Sequence, residues 1–81
     1  MTPTIRVIIK NRENTLFDGQ VSAISSFNDV GLFDILPMHE NFISLIKDKI
    51  ILHRSEKQKE VKISQGVLKV REHKVNIYLD L

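Results

Sequence analysis

The chain has 81 residues and no cysteine, 42% of its residues are apolar, and its 12 basic and 10 acidic residues give a net charge of +2. This length fits one domain, residues 1–81, and the absence of cysteine excludes disulfides, thiol nucleophiles and Cys-based zinc sites. The longest apolar runs have three residues, against the roughly 18 of a membrane-spanning helix, so we expect no membrane insertion by the chain itself. The nearly balanced charge gives no strong electrostatic indication of nucleic-acid binding, and the lack of a signal-peptide layout favours a cytoplasmic protein.

From the N-terminus onward, short apolar-rich segments alternate with polar turns, and no window shows a sustained helical period. The predicted strands share an alternating or wholly apolar pattern and cover residues 4–10, 15–17, 21–27, 32–36, 42–46, 49–54, 60–64, 67–71 and 74–79. We predict turns between them, including tight turns at 18–19, 47–48 and 65–66. Short strands at roughly 8–12-residue spacing are typical of a β-sandwich or a β-barrel.

The segment 31–39 organises the chain. Gly31 closes the polar turn 28–31, the mostly apolar residues 32–36 suit a short buried strand, and Pro37 ends that strand because it has no N–H for a sheet. His39 follows at the rim. The pattern predicts a strand that delivers a polar side chain to a corner of the fold.

Several predicted strands carry apolar residues on both faces, although one small domain has a single core. We therefore expect some of these residues to form a patch that faces a protein partner. The candidates are Ile8, Ile24, Ile43, Leu45 and Ile51. A sandwich could also carry a few of them as scattered surface residues.

Enzyme signatures are absent from the sequence. There is no phosphate-binding glycine loop, dinucleotide fingerprint, zinc-protease motif or nucleophile elbow. The pair His39–Glu40 could act as a general base, but a rim histidine making a polar contact is the simpler interpretation. No two of the three histidines have metal-ligand spacing, and His53 and His73 are expected to be solvated. The four phenylalanines look directed to the core, which argues against nucleic-acid binding. We predict no catalytic residue, cofactor or metal.

Three motifs resemble the epsilon subunit of F-type ATP synthase in their order and spacing. They are Phe-Asp-Gly-Gln-Val at 17–21, Gly-x-Phe-x-Ile-Leu-Pro-x-His at 31–39, and Gln-Gly-Val-Leu-Lys-Val at 65–70. The resemblance extends over essentially the whole chain but covers only the N-terminal β-sandwich domain of that family. It implies an all-β fold, a two-sheet β-sandwich of about ten short strands without the C-terminal helical hairpin.

The resemblance also implies a non-catalytic subunit of the central stalk, or rotor, which links gamma to the membrane c-ring and couples ion translocation to ATP synthesis. Matching positions imply gamma contacts at Asn11, His39, Phe42 and Ser44, and c-ring contacts at Gly31 and Leu32. Leu32 stands where many members carry an acidic residue. The implied location is peripheral, on the cytoplasmic side of the inner (plasma) membrane.

An alternative from another class is a free-standing β-sandwich adaptor that binds a different protein through the same face. The family's inhibition of ATP hydrolysis requires the helical hairpin, and this sequence ends at Leu81 after the last predicted strand. If these residues are the whole natural protein, we expect coupling of rotation without a brake on hydrolysis.

Overall fold

The computed structural model describes residues 3–55 and 57–79, and within these ranges it contains seven β-strands and no helix. The strands are β1 (Ile5–Lys10), β2 (Thr15–Val21), β3 (Ala23–Asn28), β4 (Gly31–Ile35), β5 (Phe42–His53), β6 (Gln58–Arg71) and β7 (Lys74–Leu79). They form one hydrogen-bonded sheet in the order β2-β1-β7-β6-β5-β3-β4. Every pairing is antiparallel except that of β1 with β7, which is parallel. No helix long and apolar enough to cross a bilayer occurs in the described residues.

Two long strands let this sheet fold over on itself, because β5 has 12 residues and β6 has 14. We call layer 1 the part formed by β2, β1, β7, the second half of β6 and the first half of β5. Layer 2 consists of the first half of β6, the second half of β5, β3 and β4. Period-2 alternation directs one side of each layer inward. The buried core joins both layers and consists of Ile5, Val7, Ile9, Val21, Ile24, Ile35, Ile46, Ile50, Leu52, Leu68, Val70, Val75, Ile77 and Leu79.

The all-β sandwich is confirmed, but the expected count of about ten short strands is wrong. Two predicted turns, at 47–48 and 65–66, lie inside continuous strands, and a third, at 18–19, lies within β2. At the first, Asp48 has a φ of 70° and forms a bulge between Lys47 and Lys49, so β5 bends into the other layer without ending. Gly66 pairs with both Ile46 and Leu79, so pairing with two neighbouring strands overrides its turn preference.

Other turns agree with the prediction. The segment 28–31 joins β3 to β4, and the segment 72–73 joins β6 to β7 with Glu72 and His73 at φ values of 50° and 64°. Part of the predicted charged hairpin tip, Glu56, lies outside the described residues. Pro37 follows β4 as expected, and the connection 36–41 carries the chain from layer 2 back to layer 1.

Candidate protein-interaction surfaces

Among the described residues, the first half of β5 has a strand neighbour on one side only. Residues 42–46 pair with β6, whereas pairing with β3 begins at Lys47. Backbone N–H and C=O groups along this stretch therefore border an open sheet edge, which is a ready site for association with another chain. Ile43 and Leu45 point outward from the same stretch, and their side chains are 66% and 73% exposed.

The corner predicted to carry His39 is built by aromatic packing. The backbone N–H of His39 donates to the Leu36 carbonyl at 3.1 Å, and its ring Nδ1 donates to the Glu40 carbonyl at 2.7 Å. The imidazole meets the edge of the Phe42 ring at 5.6 Å between centroids, and Phe42 packs against Phe33 at 5.7 Å. Two of the four predicted gamma-contact residues, His39 and Phe42, thus pack together at one corner.

The other two predicted gamma-contact residues, Ser44 and Asn11, differ in their distance from this corner. Ser44 is half-buried, with its hydroxyl donating to the Leu45 carbonyl at 2.9 Å and accepting from Asn28 Nδ2 at 3.3 Å. Asn11 follows β1 at the opposite end of layer 1, and its Oδ1 caps its own turn by accepting from the N–H groups of Glu13 and Asn14 at 2.9 and 2.8 Å. The structure brings Ser44 onto the same strand as Phe42 but leaves Asn11 at a separate end of the sheet.

The predicted ring-contact residues lie at the tip of the β3–β4 hairpin. Asn28 Oδ1 accepts from the N–H groups of Val30 and Gly31 at 2.9 and 3.2 Å, which fixes the turn. Gly31 adopts a φ of +133°, a conformation that side chains of L-residues rarely take. Val30 and Leu32 stand out from this tip, 96% and 63% exposed. The tip is an apolar protrusion held in shape by its own hydrogen bonds.

An apolar patch does lie on the outer face of layer 1, and we call this surface the outer face. The sequence pattern predicted three of its members, Ile8, Ile43 and Leu45. It did not predict Val67 and Tyr78, because a valine and a tyrosine on strands with ordinary alternation gave no distinguishing signal. The five are Ile8, Ile43, Leu45, Val67 and Tyr78. Two other predicted members lie elsewhere: Ile24 is fully buried in the core, and Ile51 is half-buried in layer 2.

An open cleft of about 360 Å³ lies beside Leu45, between the turn of the β3–β4 hairpin and the middle of β5 and β6. Two of the residues that line the cleft form an ion pair, with Lys47 Nζ 3.5 Å from Asp29 Oδ1. The remaining lining is Asn28, Leu45, Ile46, Gln65 and Gly66. This lining contains no nucleophile paired with a base.

One constellation of catalytic residue types does occur, on layer 2, and its hydrogen bonds run the wrong way for catalysis. Ser25 donates its hydroxyl proton to Asp34 Oδ1, and therefore accepts from His53 Nε2 at 2.7 Å. Gln58 Nε2 donates to His53 Nδ1 at 3.2 Å. A nucleophilic serine would need to give its proton to the histidine. The expectation that His53 is merely solvated is wrong, because both ring nitrogens are bonded and the residue is half-buried.

The charged side chains of the described residues include three surface ion pairs. Arg6 forms a two-pronged contact with Asp18, Nε to Oδ1 at 3.1 Å and Nη2 to Oδ2 at 3.0 Å. This hydrogen bonding lowers the pKa of Asp18 and raises that of Arg6, and the attraction of opposite charges acts in the same direction. In the part of the chain that the structure describes, no three metal-ligating side chains cluster together.

Comparison with known proteins agrees with this geometry. The fold matches a chain of the Euglena gracilis mitochondrial ATP synthase, from an OSCP/F1/c-ring structure, with a TM-score of 0.86 and 19% identity over 94% of this chain. It also matches a chain from the Tetrahymena thermophila mitochondrial ATP synthase central stalk and c-ring, with a TM-score of 0.76 and 13% identity over 91% of this chain. The present chain covers 50% and 61% of those two chains.

A search of curated protein sequences gave no match. The family model for the β-sandwich domain of the ATP synthase delta/epsilon chain matches residues 4–80. The chain therefore belongs to the ATP synthase delta/epsilon family, as its β-sandwich domain.

Proposed function

We propose that this chain is a non-catalytic subunit of the central stalk of an F-type ATP synthase. In this role it links gamma to the membrane c-ring and couples ion translocation to ATP synthesis. The observation that carries the proposal is the family match over nearly the whole chain, together with exposed apolar surface at two separate places. Its location would be peripheral, on the cytoplasmic side of the inner (plasma) membrane.

Gamma binds, in this proposal, along the first half of β5 and the adjoining corner. The open edge at residues 42–46 offers backbone hydrogen-bonding groups, and the packed rings of His39 and Phe42 offer a preformed polar and aromatic contact. Such preorganisation reduces the ordering cost of association. Ser44 belongs to the same strand, while Asn11 would contact gamma at the far end of layer 1.

The c-ring contact is assigned to the β3–β4 hairpin tip, at Gly31 and Leu32. A protruding tip with two exposed apolar side chains suits contact with a ring, because the contact would bury Val30 and Leu32 without reshaping the domain. Since Leu32 is apolar, this contact would depend on burial of surface rather than on an ion pair.

Co-purification tests the proposal. The tagged chain, expressed with the remaining subunits of its ATP synthase, should retain gamma and the ring. His39→Ala should reduce gamma recovery and leave the fold intact, whereas His73→Asn changes an exposed turn histidine and should have no effect. For the ring, Leu32→Glu should weaken recovery, and Leu36→Glu is the control, at another exposed leucine of similar accessibility.

If neither gamma nor ring subunits are recovered while the rest of the complex is intact, the proposal is wrong. The adaptor alternative would then predict a different stable partner bound through the same surface. Normal gamma recovery with folded His39→Ala would show that the β5 corner is not the contact.

A further inference from the structure

The outer face of layer 1 has an ordered pattern that follows from strand register. Side chains that point outward on neighbouring strands line up in three parallel rows that cross the strands. Neighbouring rows are about 7 Å apart, because each row lies two residues further along every strand. The first row is Leu45, Val67, Tyr78 and Lys10; the second is Ile43, Lys69, Asn76, Ile8 and Asp18; the third is Arg71, Lys74, Arg6 and Gln20.

These rows change in character from one end of the face to the other. The first is apolar over three of its four positions, and the third is basic over three of four. Lys10 in the first row lies over the Tyr78 ring, with Nζ 5.7 Å from its centroid. The outer face therefore runs from an apolar end at Leu45 to a basic end at Arg71, with Lys69 between them.

Charge on this face exceeds the charge of the whole chain. It carries five basic residues and a single acidic one, Asp18, for a net +4, whereas the full sequence has +2. The rest of the chain is therefore net acidic, at −2. Only Arg6 has an acidic partner on the outer face, through its contact with Asp18. Lys69, Arg71 and Lys74 make no ion pair within the described residues.

We infer that the outer face docks an acidic amphipathic helix of gamma, with its apolar side chains on the Leu45 row and its carboxylates over the Arg71 row. This inference rests on the proposed function and specifies the chemistry of its gamma contact. Three strands of the face span about 10 Å, which is the diameter of a helix. The apolar and basic rows lie about 14 Å apart, so the carboxylates follow the apolar residues by about nine positions at 1.5 Å each.

A basic face would attract an anionic membrane as well as an acidic helix, but its limited apolar surface favours the helix. Only Ile43 and Leu45 protrude strongly from the apolar end, since Val67 is half-buried and Tyr78 is 37% exposed. Two aliphatic side chains bury too little surface to hold a domain at a bilayer. A protein helix needs no such depth. The outer face also borders the open edge at residues 42–46 of β5, which is the edge proposed for gamma.

The test is a calorimetric titration of the 81-residue chain with its cognate gamma subunit at 50 mM and 500 mM NaCl. The double variant Lys69→Glu/Lys74→Glu reverses two charges of the outer face. Its control, Lys57→Glu/Lys62→Glu, makes the same net change at exposed positions of β6 and its hairpin, outside this face. We expect the first to bind about tenfold or more weakly at low salt, and the second to stay within about twofold of the original chain.

Raising the salt should shrink the difference between the two double variants, because the screening length falls from about 14 Å to about 4 Å. A matched apolar pair completes the set: Leu45→Ser should weaken gamma binding about tenfold, while Leu16→Ser, on the edge strand β2, should not. Circular dichroism of each variant is the control that checks whether it is folded.

Equal gamma binding by the two double variants would overturn the inference and leave the proposed function standing. No gamma binding by the original chain would overturn both. Tight binding of the chain to vesicles of equal phosphatidylserine and phosphatidylcholine, lost in Lys69→Glu/Lys74→Glu while gamma binding persists, would replace the helix by a lipid surface.

Discussion

Replacing Gly66 by alanine tests the close approach of β6 and β7. A Cβ atom at this position would lie 2.7 Å from the Tyr78 carbonyl oxygen and 2.8 Å from Leu79 Cδ2, both well inside normal contact. Relieving the overlap requires the two strands to move apart by about half an ångström, and overpacking of this kind costs about 1–3 kcal/mol. Alanine also lowers the conformational entropy of the unfolded chain, which offsets about 0.4–1 kcal/mol of this cost. The net loss is about 1–2 kcal/mol.

Thermal unfolding followed by far-ultraviolet circular dichroism measures this loss as a fall in Tm of roughly 4–16 °C for a domain of this size. Gly19→Ala is the matched control, because its new Cβ would meet only the Phe17 ring, at 3.2 Å, and that side chain can shift. The control should melt within a few degrees of the original chain. If Gly66→Ala melts as high as Gly19→Ala, the close packing of β6 on β7 is not as described.

Three further predictions concern the binding surfaces and pH. Ser44→Glu should weaken gamma binding by about 1–3 kcal/mol without unfolding, as an unpaired half-buried charge does, and exposed Ser64→Glu should not. Gly31→Ala should lower stability in chemical denaturation by about 1–3 kcal/mol through backbone strain alone, since its Cβ meets no atom; unchanged stability would contradict the +133° φ. In an NMR titration, Asp18 should ionise below its ordinary range, and Arg6→Gln should raise its pKa. Because folding lowers the pKa of Asp18, the contact stabilises the fold fully above the ordinary aspartate pKa. This stabilisation is lost as the pH falls from there through the lowered pKa of the folded state.

Much of the candidate site could be predicted from local sequence. The turn at 28–31 follows from Asn28 and Gly31, because an amide that accepts two backbone N–H groups and a glycine at positive φ are both local requirements. Pro37 predicted the end of β4 for an equally local reason. The grouping of His39 with Phe42 could not be predicted, since it depends on how the connection 36–41 packs against layer 1.

The sequence by itself determined that side chains alternate between two faces along most strands, because alternation has a fixed period of two, although it did not predict that Ile24 points into the core. It therefore determined the all-β class and, through Ile43 and Leu45, the existence of an apolar surface outside the core. Only the tertiary structure decided that the turn-like pairs at 18–19, 47–48 and 65–66 lie within strands. Local preferences of about 1 kcal/mol there yield to pairing and burial along the whole strand. The basic and apolar rows of the outer face likewise arise from register across four strands, including the parallel pairing of β1 with β7, which no local pattern specifies.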